Sequence, residues 1–338
     1  MDKKYSLIDL HLHLDGSLTA DDVIKMAELS KIKLDFENKK ELEKALICPA
    51  DCKDLNEYLN CFSLPILVMQ SKEAISYSVY SLVKRLAEQG LIYAEIRFAP
   101  QNHISQGLTQ EAVVEAAIDG LKKGISSTGI LAKLILCCMR GDKNKSENIK
   151  TIDVAREYLG NEVVAVDLAG SEGLYKTESF RDVFEYAYKL DIPFTIHAGE
   201  ADGIESMKCA IDFGAKRIGH GIRCYNNDEM KSILVKNNIA LELCPTSNLQ
   251  TKAVDSIKSI YDYPIEMFLD EGVCATVNTD NMTVSNTDLD NEFLNLFKKE
   301  TFNYNYARRL IFNSINSIFA DNKTKEILLS KANEIIEN

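Results

Sequence analysis

The fold class the sequence predicts is α/β: a (β/α)8 barrel of the TIM type with a helical insertion after the first strand. Three observations lead there. Eight short runs rich in Val, Ile and Leu recur along the 338 residues, with stretches of helical period between them. Polar residues gather at the C-terminal ends of several runs, the end where barrel enzymes carry their sites. The first connection, from Leu14 to Gly90, is far longer than the single crossover helix that most others require. A doubly wound open sheet would alternate in the same way, but no Gly-rich dinucleotide turn follows the first run.

The expected strands are Ser6 to Leu12, Leu91 to Phe98, Ala132 to Met139, Val163 to Leu168, Pro193 to His197, Arg217 to His220, Ile239 to Cys244 and Val273 to Thr279. Between them, segments such as Thr109 to Lys123 and Glu178 to Leu190 have the length and apolar spacing of amphipathic helices. The long first connection, residues 15–90, reads as helices over Ala20 to Ser30, Glu37 to Leu46, Leu55 to Phe62 and Glu73 to Gln89. An insertion at that point emerges at the C-terminal mouth, where it can act as a lid. From Asn291 onward the pattern is helical, with Pro and Gly both absent. Residues 1–338 are expected to form one barrel domain carrying that lid.

Composition narrows the function classes. Hydrophobic residues make up 46% and charged ones 27%, so the chain has the means to bury a core. The formal charge is -12 with no dense basic stripe, which argues against a nucleic acid or an anionic membrane as partner. Nine cysteines without a C-x-x-C pair read as reduced thiols. No signal peptide and no membrane-length apolar run is found, and a cytoplasmic location is expected. Nothing in the pattern specifies an oligomeric state.

Of the five histidines, four lie at or just past the ends of apolar runs. His11 and His13 are two apart in one strand, so both imidazoles face the same side. A lone buried His is more often a hydrogen-bonded core residue than a metal ligand. A same-face pair in a barrel strand shifts that balance, because one cation satisfies both rings. His197 closes the fifth run, His220 the sixth and Asp280 the eighth, and closure of a barrel makes the eighth strand a neighbour of the first. Three imidazoles and a carboxylate suit Zn²⁺, which brings the ionisation of a water close to neutral pH. Glu200, three residues after His197, is placed to move a proton at the same centre; away from a metal ligand it would read as a solvated loop carboxylate.

In order and spacing, these motifs resemble the adenosine deaminase family along nearly the whole chain. The matching segments are the opening His11-Leu-His-Leu-Asp-Gly-Ser, Ile96-Arg-Phe-Ala-Pro-Gln, Cys138-Met-Arg, Val166-Asp-Leu-Ala-Gly, His197-Ala-Gly-Glu, Ile218-Gly-His-Gly, Cys244-Pro-Thr-Ser-Asn and Asn278-Thr-Asp. The resemblance implies a zinc-containing barrel that hydrolyses adenosine and 2′-deoxyadenosine to inosine and 2′-deoxyinosine with release of ammonia, in purine salvage or nucleoside catabolism. It implies one Zn²⁺ per chain on His11, His13, His197 and Asp280. Glu200 would protonate the purine N1, His220 would orient the attacking hydroxide with help from Asp280, and the backbone N–H of Gly170 would meet N3. His13 and Asp15 would contact the substrate, Asp15 through a ribose hydroxyl. Leu55, Tyr58, Leu59 and Phe62 would form an apolar wall, although such a helical stripe equally suits core packing.

One position departs from the family. Many members carry Asp-Asp where this chain has Asp280-Asn281, and an amide NH2 at Asn281 can donate to N7 without holding a proton on a carboxyl. The fifth histidine, His103, matches no catalytic position and reads as structural or rim. Two alternatives stand beside the nucleoside reading. An adenine deaminase would share the chemistry, but similar sequences of that kind usually have Glu where this chain has Asp15. A catalytically silent binding protein would have no reason to retain the full acid and ligand set. A cytidine-type zinc deaminase is excluded, since its H-x-E and P-C-x-x-C signature is missing.

Overall fold

The computed structural model describes residues 5 and 7–337. Strands β1 (Ile8–His13), β2 (Tyr93–Phe98), β3 (Leu131–Met139) and β4 (Val163–Ala169) pair in parallel in that order. So do β5 (Thr195–Ala198), β6 (Arg217–His220), β7 (Ala240–Leu243) and β8 (Ala275–Val277). Parallel bridges join the two sheets at both edges, Val166 to Phe194 and Leu12 to Asp280. At the second seam the His13 N–H donates to the Asp280 carbonyl at 2.7 Å and the Asp280 N–H to the His11 carbonyl at 2.8 Å. The ring is thereby complete, and the first strand lies beside the segment that follows the last.

Strand limits differ from the expectation where the backbone turns. Ser6, the expected start of the first strand, lies outside the described residues; the strand runs on to His13. The eighth strand ends at Val277, so Asp280 sits beyond it and does not close it. Its φ of 59° is left-handed, a conformation that cannot continue a ladder, and His220 at the end of β6 has φ 60°. Such backbone costs free energy in a non-glycine residue and recurs at functional sites.

Between β1 and β2 lie α1 (Ala20–Leu29), α2 (Lys39–Leu46), α3 (Leu55–Leu59), α4 (Ser63–Val68) and α5 (Lys72–Glu88). Polar caps fix where they start: Thr19 forms a capping box with Asp22, Asn38 accepts from the N–H groups of Lys40 and Glu41, and Asp54 accepts from that of Glu57. The single helix expected over Leu55 to Phe62 is α3 followed by a 3-10 turn at Asn60–Phe62. Helix α4 is an addition to the expectation, because Pro65 argues against a helix by pattern. In its first turn, however, the missing N–H costs nothing.

The crossovers are α6 (Gln110–Thr128), α7 (Lys145–Tyr158), α8 (Arg181–Lys189), α9 (Ile204–Phe213) and α10 (Asp228–Asn237), with α11 (Pro245–Gln250) and α12 (Ile265–Asp270) between β7 and β8. A 3-10 turn, Thr177–Phe180, replaces the first residues of the helix expected from Glu178. The helical tail is three helices, α13 (Leu289–Phe297), α14 (Tyr304–Ser317) and α15 (Asn322–Glu337), with Asp288 and Asn303 capping the first two. Helix α14 packs on β8 and β1, covering the seam from outside. Among the described residues no helix is long and apolar enough to cross a membrane, and all nine cysteines are unpaired.

Candidate active site

Strand alternation puts His11 and His13 on one face of β1, and closure brings β5 and the segment after β8 to meet them. One side-chain atom from each of His11, His13, His197 and Asp280 lies within 4.8 Å of the others. The His13 and His197 Nε2 atoms are 3.1 Å apart, and Asp280 Oδ1 stands 3.4 Å from His11 Nε2 and 3.5 Å from His13 Nε2. Two rings have their protons placed by carboxylates behind them. His11 Nδ1 donates to Glu242 Oε2 at 2.7 Å, and His197 Nδ1 donates to Asp167 at 2.9 Å. Their Nε2 lone pairs therefore point inward, and His11 Nε2, fully buried, has no hydrogen-bond partner in the protein. Lone pairs converging on one another and on a carboxylate need a cation between them, so the donor set fits a divalent metal ion.

The charge beneath these ligands points the same way. Arg97 reaches Asp167 at 3.1 Å and Glu242 at 2.9 Å, and Arg217 reaches Glu242 at 2.5 Å and Glu95 at 2.7 Å, all buried. With Asp280 this connected set holds four carboxylates against two guanidiniums. The shortfall is two positive charges, the charge of one divalent ion. Burial alone would raise the Asp280 carboxyl, but the surrounding imidazoles, His11 foremost, hold it below the usual carboxylate range. Burial likewise drives His13 and His220 well below the ordinary imidazole value, which keeps both neutral.

Glu200 lies across the cavity and is itself buried. Burial first, then the charges of Asp280 and Glu172, raise its carboxyl well above the usual value, which favours the proton-bearing form. Thr251 Oγ1 donates to its Oε1 at 3.1 Å, and His220 Nε2 is 3.5 Å from its Oε2. The backbone that carries it is clamped by Glu172, whose carboxylate accepts from the N–H groups of Gly199, Glu200, Ala201 and Asp202 and from Ser206 Oγ. Asp280 is steadied by Ser247, which donates to its Oδ2 at 2.6 Å.

A single cavity of about 230 Å³ is lined by His13, Asp15, Leu55, Tyr58, Leu59, Phe62, Gly170, His197, Glu200, His220, Asp280 and Asn281, that is, every candidate except His11, which lies below its floor. The Asp15 carboxyl, pushed up to about 6 mainly by burial, presents an Oδ1 with no protein partner, and Asn281 Oδ1 has none either. Gly16 is required by a close approach: a Cβ there would fall 1.9 Å from Asn281 Oδ1. Gly170 holds φ 105°, which turns the chain at the cavity wall. Leu55, Tyr58, Leu59 and Phe62 combine both expectations, since they pack with Cys48, Cys52, Cys61 and Val284 and also face the cavity. His103 is fully buried, so it is not a rim residue, and burial lowers it to about 4.

Sequence reasoning missed the residues behind the site: Arg97, Asp167, Glu242, Glu172 and Arg140. For Arg97, Asp167 and Glu242 the signal was a charged residue inside an otherwise apolar strand, as in Tyr93-Ala-Glu-Ile-Arg-Phe, whereas Arg140 and Glu172 lie just past β3 and β4. Arg140 lines the cavity, but its two terminal nitrogens donate to the carbonyls of Tyr175 and His197 and to Thr177 Oγ1, and its Nε is buried.

A family model described as adenosine deaminase matches residues 7–335. The chain belongs to the adenosine deaminase family. Within it, adenosine deaminase of Haemophilus ducreyi is 47% identical over 97% of this chain and 95% of its own length. The Clostridium acetobutylicum enzyme of the same name is 40% identical over 96% of each chain. Among solved structures, adenine deaminase from Arthrobacter aurescens superposes with a TM-score of 0.88 at 26% identity, covering 98% of this chain and 99% of that one. The N6-methyl-AMP deaminase of Arabidopsis thaliana gives 0.80 at 25%, covering 98% and 97%. The adenosine deaminase family thus shares its barrel with relatives that take a free base or a nucleotide, and the residues around the cavity must separate them.

Proposed function

We propose that the protein is an adenosine deaminase that converts adenosine or 2′-deoxyadenosine and water to inosine or 2′-deoxyinosine and ammonia. The observation that carries this reading is the pairing, across one cavity, of a cation-demanding cluster with a buried acid, Glu200, while Asp15 Oδ1, without a protein partner, waits beside them for a donor. Zn²⁺, one per chain, held by His11, His13, His197 and Asp280, supplies Lewis acidity that brings the ionisation of a water near neutral pH. His220 orients the attacking oxygen, and Asp280 assists. Glu200 gives its proton to the purine N1, which makes C6 electrophilic; the tetrahedral carbon then expels ammonia and leaves the 6-oxopurine. The Gly170 N–H serves N3 and the Asn281 amide serves N7. The wall of Leu55, Tyr58, Leu59 and Phe62 keeps bulk water from the ring. In this reading residues 1–338 work as one barrel domain with the helical insertion as lid. The nine free thiols accord with a reducing cytoplasm.

Asp15 separates the nucleoside from the base. A buried carboxylate built to accept from a ribose hydroxyl is left unpaired by adenine, and an unpaired group costs free energy. AMP meets a different obstacle, because Arg140, the one arginine or lysine lining the cavity among the described residues, is already committed. The test is kcat/KM for adenosine, 2′-deoxyadenosine, adenine and AMP on the wild type and on Asp15→Ala. The nucleosides should be good substrates and the other two poor, and the variant should lose the preference. Adenine turned over faster than adenosine by the wild type, or an unchanged preference in the variant, would favour the adenine deaminase reading.

A further inference from the structure

We propose that Asn248 and Tyr263 are positioning residues that lock His220 in the tautomer with its proton on Nε2, so that His220 acts as a hydrogen-bond donor and not as a base. This rests on the reading of His220 as the group that orients the attacking oxygen. Three buried side chains from separate elements form a line: Tyr263 follows the 3-10 turn Ile260–Asp262, Asn248 lies in α11 and His220 ends β6. Tyr263 Oη is 2.9 Å from Asn248 Oδ1, and Asn248 Nδ2 is 2.9 Å from His220 Nδ1. The other ring nitrogen, Nε2, faces the cavity toward Glu200 Oε2 at 3.5 Å.

A line of this kind can carry its protons in two directions. In one, the Tyr263 hydroxyl donates to the Asn248 oxygen, the Asn248 NH2 donates to His220 Nδ1, and the imidazole proton is left on Nε2. In the other, His220 Nδ1–H donates to a flipped Asn248 and the amide donates to the Tyr263 oxygen. The hydroxyl proton of Tyr263 would then be buried without an acceptor, since its only hydrogen-bond partner among the described residues is Asn248. A fully buried O–H left unbonded carries its desolvation penalty uncompensated, so the first direction wins. The phenol keeps its proton, because burial raises Tyr263 well above the ordinary tyrosine value. The strained φ of His220 and the left-handed Gly221 after it aim the ring at this partner. A neutral imidazole with its lone pair committed to Asn248 can hold an oxygen at Nε2 but cannot take a proton from it there.

Nitrogen chemical shifts of the holoenzyme labelled with ¹⁵N-histidine decide the tautomer, with His220→Asn identifying the signal. The expected result is a protonated Nε2 and a bare Nδ1, and transfer of the proton to Nδ1 in Asn248→Asp, whose carboxylate can only accept. Activity on adenosine gives a second readout at about pH 9, where an imidazole is neutral. There kcat should fall about tenfold in Asn248→Ala and on the order of a hundredfold in Asn248→Asp, with KM and metal content unchanged. A role limited to holding the fold gives the reverse order, since Asp keeps the shape of Asn and its bond to Tyr263. A protonated Nδ1 in the wild type, or an Asp variant at least as active as the Ala variant, overturns the proposal. Should the wild type not deaminate adenosine at all, the functional reading fails while the nitrogen shifts still decide the tautomer.

Discussion

The mouth of the barrel and the layer just beneath it are both buried and densely polar, yet they satisfy their polar groups in opposite ways. Beneath, every carboxylate of the ligand-bearing set faces a cation of the protein: Asp167 and Glu242 face Arg97, and Glu242 and Glu95 face Arg217. At the mouth, His11 Nε2, Asp15 Oδ1 and Asn281 Oδ1 lack protein partners, and burial pushes the Glu200 carboxyl toward its protonated form. In the lower layer each carboxylate meets an arginine of the chain itself, whereas in the proposed reading the upper layer is completed from outside, by a cation and a substrate. The difference teaches where to expect loss of stability and where loss of turnover: breaking a buried ion pair is costly to the fold, while a group held ready for a ligand is costly only to function.

The largest effect tests the upper layer. Glu200→Gln should lower kcat by about 10² to 10⁴ while metal content and Tm stay near wild type, because the amide can bind N1 but cannot deliver a proton. The sign of the pH dependence follows from the same group. Its raised pKa favours the proton-bearing, active form, so kcat should decline, not rise, as the pH is raised far enough to remove that proton. A variant with kcat within about tenfold of wild type would remove Glu200 as the donor.

Next comes the lower layer. Glu242→Gln leaves Arg97 and Arg217 short of a counter-charge and weakens the anchor of His11, so stability should fall by about 3 to 5 kcal/mol in urea titration. Metal affinity, read by competition with a chromogenic chelator, should weaken about 10- to 100-fold. Unchanged affinity would mean that the ligands hold themselves and that the two layers are independent. Chelation of the wild type sharpens the same point: removing an ion present at about a thousand times its Kd should cost about 4 kcal/mol, seen as a lower Tm restored by Zn²⁺.

The smallest effect is expected at Asn281→Asp. A protonated Asp can donate as the amide does, so kcat/KM for adenosine should change less than about tenfold. A larger change would show that the amide is a tuned part of the upper layer.

Much of the upper layer was legible in the sequence because its members are rare residue types at strand ends, with a period that fixes their direction. His11 and His13 needed only strand alternation, and Asp280 only barrel closure. The lower layer was not legible. Arg97 and Glu242 read as interruptions of apolar runs until closure of the ring showed which charge each one meets, Arg97 on β2 reaching Asp167 on β4 and Glu242 on β7, and such a meeting is not a property of any one strand. Glu172 and Asn248 were hidden for a related reason: they act on backbone and on a ring brought close only by the fold. The split of Leu55 to Phe62 and the extra helix α4 escaped because pattern reasoning treats Pro65 as a breaker wherever it falls in a helix.

The seam between His11, His13 and Asp280 has a consequence for how the molecule is made. In the proposed site two ligands precede strands β2 to β8 in the chain and Asp280 follows them, so at roughly 5 to 20 residues per second seven strands are made in between. During that interval β1 lacks one of its two neighbours and the imidazoles sit on an open edge, able to touch a metal ion but not to enclose it. Closing so long a loop is slow compared with pairing adjacent units. On the proposed ligand set, firm capture of the ion therefore waits for ring closure, and metal retention would distinguish a finished barrel from a nascent one.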